Sequence, residues 1–373
     1  MKPFSLLIKP ASADCNLRCA YCFYLEKSGL YPYARRHRMP DDVLDRLIRG
    51  YMSTNQPVYS FVWQGGEPAL MGLGFFRKVT ELQQQYGRSG AVVSNGLQTN
   101  ATLIDDELAA HLARYRFLVG VSLDGPADIH DFYRRRSSGE GTHADVLTGI
   151  ECLRRNRVEF NALTLVTSAN ACRGGEVYRY LRDTGCCHHQ YIPCVEFDAG
   201  GKPQPWSITG KEWGGFLCRV FDEWHAHDTR RVSVRLFDSI LAYMVDGTRN
   251  ICQISQNCCQ YFLVEYNGDV YPCDFFADPD LRLGNISSDN WAELQESEKY
   301  RAFGELKSSW DEQCLDCEYM EYCMGDCLKH RTHEGVSPSH LCDGWKTFFA
   351  HSLPAFREIA RRRSEEHTSE LQS

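Results

Sequence analysis

Apolar positions in the first half of the chain recur in two alternating rhythms. Short runs rich in β-branched and aromatic residues occupy 5–9, 59–63, 91–94, 117–122, 159–166 and 188–192, each the length of a strand. Between them lie longer stretches, from about 40 and over 75–86, 105–114, 144–155 and 175–183, where apolar residues return every three or four positions. That is the period of a helix with one buried face. Asp41 and Asp42 stand in the first turn of the earliest stretch, where negative charge suits a helix N-terminus. Repeated strand–helix alternation predicts an α/β fold with a parallel sheet and helices outside it. About six such units are too few to close an eightfold barrel, so a partial, open (β/α)6 barrel over 1–200 is expected. Sites in such folds lie at the C-terminal ends of the strands. The polar signatures at 64–68 (Q-G-G-E-P), 98–100 (Q-T-N) and 122–125 (S-L-D-G) fall at those ends.

The alternation stops near residue 200. Gly200-Gly201-Lys202-Pro203 reads as a linker, and 201–250 as a helical connector. From Cys252 regular patterning is sparse and cysteines are dense, so 251–350 is expected to be an irregular domain in which metal replaces a hydrophobic core. One hairpin is legible inside it, 261–266 and 269–272 joined by Asn267-Gly268, the strongest short-range turn signal. Residues 351–373 are expected to hold a helix end and a tail. The last ten, S-E-E-H-T-S-E-L-Q-S, are polar and unlike the text before them, and read as non-native.

A length of 373 residues suits two domains, and a hydrophobic content of 43% suits a globular protein. A net charge of −8 without a long basic run argues against a nucleic-acid partner. No apolar stretch is long enough to span a bilayer. The first residues, M-K-P-F-S-L-L-I-K-P, carry no small-residue cleavage site and read as a strand, so a cytoplasmic location is expected. In that reducing compartment clustered cysteines mean metal or catalysis more often than disulfides.

Eleven of the eighteen cysteines fall into two groups. Cys15, Cys19 and Cys22 form C-x3-C-x2-C after the first strand, one thiolate short of closing a cubane cluster. One iron would then stay open to another ligand. Cys252, Cys258, Cys273, Cys314, Cys317, Cys323, Cys327 and Cys342 are enough to close two further clusters. Zinc is the alternative for this second group, since C-x2-C pairs also bind zinc. It suits the first group poorly, which would need an outside fourth ligand. Cys259 adjoins Cys258 and competes with it as a ligand, the five-residue gap favouring Cys258. Cys152, Cys172, Cys186, Cys187, Cys194 and Cys218 have no ligand spacing and read as small apolar residues.

The triad followed by Phe23-Tyr24, together with Gly65-Gly66-Glu67-Pro68 after the second strand, resembles the radical S-adenosylmethionine superfamily over about 4–195. The resemblance implies that the open iron of a [4Fe–4S] cluster chelates S-adenosylmethionine and that cleavage of the cofactor yields a 5′-deoxyadenosyl radical. It also implies that Tyr21, Gly65, Gly66, Glu67, Ser122, Arg134 and Val195 line the cofactor. Arg134 stands in a run with Arg135 and Arg136, for which an ordinary basic surface is the competing reading. The second cysteine string resembles the SPASM extension of radical enzymes that act on peptides. It implies one auxiliary cluster on Cys252, Cys258, Cys273 and Cys327 and another on Cys314, Cys317, Cys323 and Cys342, making three [4Fe–4S] clusters.

A narrower resemblance joins S-L-L-I-K-P-A-S, W-Q-G-G-E-P, L-Q-T-N, F-L-V-G-V-S-L-D-G-P and V-Y-P-C-D-F. Together these are similar to the anaerobic sulfatase-maturating enzymes across about 4–350. The family oxidises a cysteine or serine of a nascent, unfolded sulfatase to Cα-formylglycine. The resemblance implies a substrate segment Cys/Ser-x-Pro/Ala-x-Arg and an electron donor such as flavodoxin or ferredoxin. It implies that Asp274, directly after Cys273, is the base, with Tyr24 and Gln64 beside the substrate side chain. The expected chemistry is hydrogen abstraction from Cβ, loss of the thiol or hydroxyl proton to Asp274 and loss of one electron to an auxiliary cluster. The alternatives are a peptide-modifying enzyme of the same architecture that forms thioether or carbon–carbon crosslinks, and a zinc-stabilised binding protein without catalysis.

Overall fold

A computed structural model describes residues 1–331 and 337–371, with side chains as far as residue 365. Its strands are β1 (Ser5–Lys9), β2 (Tyr59–Trp63), β3 (Val93–Thr99), β4 (Leu118–Ser122), β5 (Phe160–Val166), β6 (His188–Pro193), β7 (Ser233–Val234), β8 (Tyr261–Glu265), β9 (Asp269–Tyr271) and β10 (Gly284–Asn285). The chain forms two compact units. One comprises Met1–Leu123, His130–Asn161 and Cys258–Gly304; the other comprises Asp124–Ile129, Ala162–Asn257 and the chain from Glu305.

In the first unit the strand order is β10-β9-β8-β1-β2-β3-β4. The run from β8 to β4 is parallel, while β9 and β10 are antiparallel additions. Leu6, Ile8, Phe61, Trp63, Val119 and Val121 are fully buried, as expected for strands covered by helices. Helix Asp41–Met52 turns Val43, Leu44, Leu47, Ile48 and Tyr51 inward. Helix Asp106–Arg114 begins on Asp105, whose side chain accepts from the Leu108 N–H and caps the first turn.

Two features differ from the reading of the apolar pattern. The strand expected at 91–94 runs instead through Val93–Thr99. Its inward positions include Asn95 and Thr99, both buried, so a polar text hides a buried face. Asn95 is tolerated there because Trp63 Nε1 and Gln83 Nε2 donate to its oxygen at 3.1 and 3.0 Å. Second, the hairpin after Cys258 is no isolated feature of an irregular region. Its first strand, β8, pairs in parallel with β1 from Ser5↔Tyr261 to Lys9↔Glu265. Gly268, at φ +86°, makes the turn into β9 that a side chain would strain.

In the second unit β5 (from Ala162 on), β6 and β7 lie in parallel order. The expected helical connector contains two helices, Gly210–His227 and Arg235–Asp246. The first opens with a capping box between Thr209 and Glu212. Helix Cys342–Leu371 extends into the segment read from sequence as a tail. Among the described residues no helix is long and apolar enough to cross a membrane.

The helices Gly210–His227 and Cys342–Leu371 meet through glycines. A Cβ at Gly344 would stand 2.1 Å from the Gly210 carbonyl oxygen, and one at Gly214 would stand 2.7 Å from that of Gly344. Trp213 and Trp345 then pack edge to face, their ring centroids 5.7 Å apart. Gly344→Ala is expected to lower stability by ~1–3 kcal/mol through overpacking. Gly29, with nothing within 4 Å of its Cβ direction, should accept Ala with almost no change. Thermal unfolding of the two variants side by side checks this; equal midpoints would contradict the close approach.

Candidate active site

The register of the first unit brings three polar side chains to one level. Lys9 ends β1 opposite Glu265, which ends β8, and Gln64 follows β2 with its N–H bonded to the Ile8 carbonyl at 2.8 Å. The hairpin then returns the chain so that Asp274, three residues past β9, reaches the same place. The Lys9 ammonium stands 2.6 Å from Asp274 Oδ1 and 3.5 Å from Glu265 Oε1. Tyr24 Oη donates to Asp274 Oδ2 at 2.5 Å, and Gln64 Nε2 donates to the same oxygen at 2.9 Å. The ammonium also lies 4.5 Å from the Tyr24 ring centroid. Phe23 and Phe275 pack at 5.1 Å beside this cluster, tying the Phe23-Tyr24 segment to the Asp274 loop.

The charged groups are enclosed, Lys9, Glu265 and Asp274 exposing 1%, 2% and 6% of their surface, while Tyr24 and Gln64 are half-buried. Burial alone would lower the Lys9 pKa, but Asp274 and Glu265 outweigh it and hold it above the usual value. Burial pushes Glu265 upward, only partly offset by Lys9, with Asp274 adding repulsion. Burial, and then the Asp274 charge, hold Tyr24 well above the ordinary phenol, so its hydroxyl is a donor. Two donors, Tyr24 and Gln64, converge on Asp274 Oδ2, and the Lys9 ammonium stands at ion-pair distance from Oδ1. The predicted trio Asp274, Tyr24 and Gln64 is therefore one hydrogen-bonded group. Lys9 and Glu265 belong to it and were not foreseen.

The loop after β1 carries Cys15, Cys19 and Cys22. It is pinned from outside: Arg18 N donates to Arg135 O at 2.7 Å, and Ala20 N to Tyr133 O at 3.1 Å. Asn16 Nδ2 donates to Thr102 Oγ1 at 2.8 Å, and Asn16 Oδ1 accepts from Asn100 Nδ2 at 2.9 Å, so the end of L-Q-T-N holds the loop. The glycines of G-G-E-P allow a close approach to it. Gly66 N donates to Ser12 O at 2.7 Å, and a Cβ there would lie 2.1 Å from the Asp14 carbonyl oxygen. Gly65 is at φ +116°, which favours glycine. The Glu67 carboxylate is turned inward, accepting from Ala69 N, Thr99 Oγ1 and Asn100 N at 2.9, 2.7 and 2.7 Å. Its side chain is thus a strut between two strand ends, while its main-chain N–H donates to the Asp14 carbonyl of the cysteine loop at 2.8 Å.

Arg134 resolves from its neighbours. Its guanidinium lies 5.5 Å from the Tyr21 ring centroid, and its charge is felt at Cys22 and Glu67. Arg136 pairs with Asp145 at 2.8 Å instead. Ser122 closes β4 in the first unit, buried; Val195 follows β6 in the second unit, also buried.

The donor set of the first loop fits an open iron–sulfur site. Three thiols stand within electrostatic reach of one another. Cys15 keeps exposed surface yet is crowded by protein atoms, and that burial pushes its thiol up to about 12, Glu67 adding to the effect. Such a thiol ionises on binding metal. In the second unit Cys314, Cys317, Cys323 and Cys342 line one small cavity with Tyr319 and Trp345. Among the described residues no three His, Cys, Asp or Glu side chains gather tightly enough around a single metal ion. Cys258 and Cys273 lie in the first unit, Cys252 and Cys327 in the second. Cys259 Sγ is turned to the Tyr300 carbonyl at 3.1 Å, and Cys273 Sγ lies 3.1 Å from Tyr261 Oη.

Comparison with known proteins agrees with this geometry. Residues 10–179 match the Radical SAM superfamily, and 252–318 match SPASM, an iron–sulfur cluster-binding domain, which replaces the zinc reading. A serine-type anaerobic sulfatase-maturating enzyme of Bacteroides thetaiotaomicron is 36% identical over 95% of this chain and 90% of its own. A cysteine-type enzyme of Clostridium perfringens is 37% identical over 96% of this chain and 99% of its own. The solved structure of native anSMEcpe with bound AdoMet and Kp18Cys peptide superposes with a TM-score of 0.90 at 36% identity, covering 97% of this chain and 100% of that one. With the open cysteine triad, the glycine-rich strand end and the cysteine-rich C-terminal region all in place, the chain belongs to the anaerobic sulfatase-maturating enzymes of the radical SAM superfamily.

Proposed function

We propose that this protein oxidises a Cys or Ser side chain in a sulfatase polypeptide to Cα-formylglycine, with Asp274 as the base. The observation that carries the reading is the Asp274 carboxylate, held on one side by Lys9 and on the other by Tyr24 and Gln64, with its charge felt at Cys22 of the cluster loop. A peptide-bound relative and curated relatives that are sulfatase-maturating favour this over peptide crosslinking.

S-adenosylmethionine on the Cys15, Cys19 and Cys22 cluster supplies the hydrogen-atom acceptor, and the auxiliary clusters supply the electron acceptor. The protein supplies position and proton transfer. Gly65 and Gly66 bring main chain against the cysteine loop, and Tyr21, Ser122, Arg134 and Val195 are assigned to the cofactor. Asp274 takes the thiol or hydroxyl proton of the target residue as its Cβ is oxidised. Tyr24 and Gln64 orient the carboxylate toward that proton. Loss of one hydrogen atom, one proton and one electron converts a serine directly to the aldehyde. A cysteine gives a thioaldehyde, which water converts to the aldehyde with release of sulfide. Two auxiliary clusters are assigned, one to Cys314, Cys317, Cys323 and Cys342 and one to Cys252, Cys258, Cys273 and Cys327. The polypeptide is assigned the form Cys/Ser-x-Pro/Ala-x-Arg and binds before the sulfatase folds, because folding would bury the target. Flavodoxin or ferredoxin is assigned as electron donor.

Anaerobic incubation with S-adenosylmethionine, a reductant and Cys and Ser peptides should give an aldehyde that a hydrazine traps. Cofactor cleavage without aldehyde from either peptide would overturn the reading. Asp274→Asn is expected to keep its iron and cleave cofactor while aldehyde formation falls ~10²–10⁴-fold; a parental rate would remove Asp274 from the base role. Replacing Cys15, Cys19 and Cys22 together by Ala should lower iron from about twelve to about eight per chain and abolish cofactor cleavage. Lys9→Met leaves Asp274 and Glu265 buried without their cation and should cost ~3–5 kcal/mol. Adding Glu265→Gln should recover part of that loss; denaturant unfolding measures both variants.

A further inference from the structure

The auxiliary-cluster region of the second unit contains a fully buried cation. Lys307 exposes 0% of its surface. Its ammonium donates to the main-chain carbonyls of Gln253 and Met324, each at 3.0 Å, and to that of Asp326. Each acceptor adjoins a cysteine: Gln253 follows Cys252, Met324 follows Cys323, and Asp326 precedes Cys327. One ammonium therefore ties the segment of Cys252 to the single loop between Cys323 and Cys327.

The surrounding chain needs such a tie. Met324, Gly325 and Asp326 are consecutive left-handed residues, at φ 49°, 70° and 60°. Their carbonyls do not continue a helix, and a buried carbonyl must find a donor. Arg331 supplies others, donating through Nε to Gly325 O and through Nη2 to Lys307 O, both at 2.9 Å. The Asp326 carboxylate, 1% exposed, faces away to Gln253 Nε2, Ser339 Oγ and His330 Nδ1. Lys307 is thus bonded to main-chain oxygens of the loop, and its charge is felt at the Cys252 and Cys323 thiols.

A four-thiolate cluster is anionic and becomes more so on reduction. A buried cation beside it favours the reduced form, and net charge, hydrogen bonding and burial are what set cluster potentials. In a site of low dielectric constant that effect is strong.

We propose that Lys307 is a positioning residue for the auxiliary iron–sulfur clusters. It holds the Cys252 segment against the Cys323–Cys327 loop and raises the reduction potential of the clusters these cysteines bind. The proposal rests on the auxiliary-cluster assignment above. It makes Lys307 a determinant of how readily the enzyme accepts the electron that leaves the substrate.

The test uses the full chain with Cys15, Cys19 and Cys22 replaced by Ala, so that only auxiliary iron remains. Iron per chain and an EPR-monitored redox titration are measured for Lys307, Lys307→Met and Lys307→Arg. The expected result is a lower midpoint for Lys307→Met by at least a tenfold change in the reduction equilibrium, ~59 mV for one electron. Lys307→Arg, which keeps the charge, should recover most of it. If Lys307→Met does not fold, Lys307→Gln, neutral but still a donor, is read the same way. Full iron with an unchanged midpoint in the neutral variant would overturn the proposal and leave the cluster assignment standing. An equal drop in Lys307→Arg would overturn it too, since charge would not be the cause. Absence of iron from the protein with Lys307 intact would overturn the cluster assignment itself, and the proposal with it.

Discussion

The ammonium of Lys9, enclosed between Asp274 and Glu265, is the interaction on which the active site depends. Two buried carboxylates at this spacing would repel and resist ionisation; one cation between them makes the arrangement tenable. Its existence follows from strand register. β8 pairs in parallel with β1, so Glu265 lies directly across from Lys9, and the tight turn at Gly268 sends the chain back toward Asp274. A one-residue slip in that pairing would turn Glu265 to the opposite face and leave the cation with half its partners. The residues after β9 are thereby bound to the first strand of the sheet.

The same level of the sheet carries the rest of the site. Gln64 extends β2 beside Lys9, and the next residues, Gly65 and Gly66, run against the cysteine loop at distances no side chain permits. Glu67 then braces that turn against Thr99 and Asn100, and Asn100 braces the loop through Asn16. Asp274, the glycine turn and the cysteine loop are therefore joined by hydrogen bonds across adjacent strand ends. Positioning of this kind is what radical chemistry asks of a protein, because the reactive species is the cofactor's own.

Much of this was legible in the sequence where chemistry dictates spacing. The triad Cys15, Cys19 and Cys22 and the pair Cys314 and Cys317 fall at short, characteristic intervals, and glycines that allow backbone contact cannot be replaced quietly. Asp274 was legible through its adjacency to Cys273 within V-Y-P-C-D-F. What escaped reading was whatever depends on register. Lys9 ends S-L-L-I-K and Glu265 ends Y-F-L-V-E; in isolation each looks like the polar boundary of an apolar strand. Only the β1–β8 pairing shows that they face each other inside the protein. β3 was shortened for a related reason: its buried face carries Asn95 and Thr99, whose hydrogen-bond partners lie far along the chain. Lys307 is a third case, a lysine without local pattern whose three acceptors lie 17 to 54 residues away.

The central claim is that this site removes a hydrogen atom directly from Cβ of a cysteine or serine in a bound peptide. Peptides carrying deuterium on that Cβ, incubated anaerobically with reductant and S-adenosylmethionine, test it most directly. Mass spectrometry of the 5′-deoxyadenosine formed should show one deuterium gained per turnover, in step with aldehyde. Aldehyde accumulating while the 5′-deoxyadenosine stays unlabelled would contradict the account.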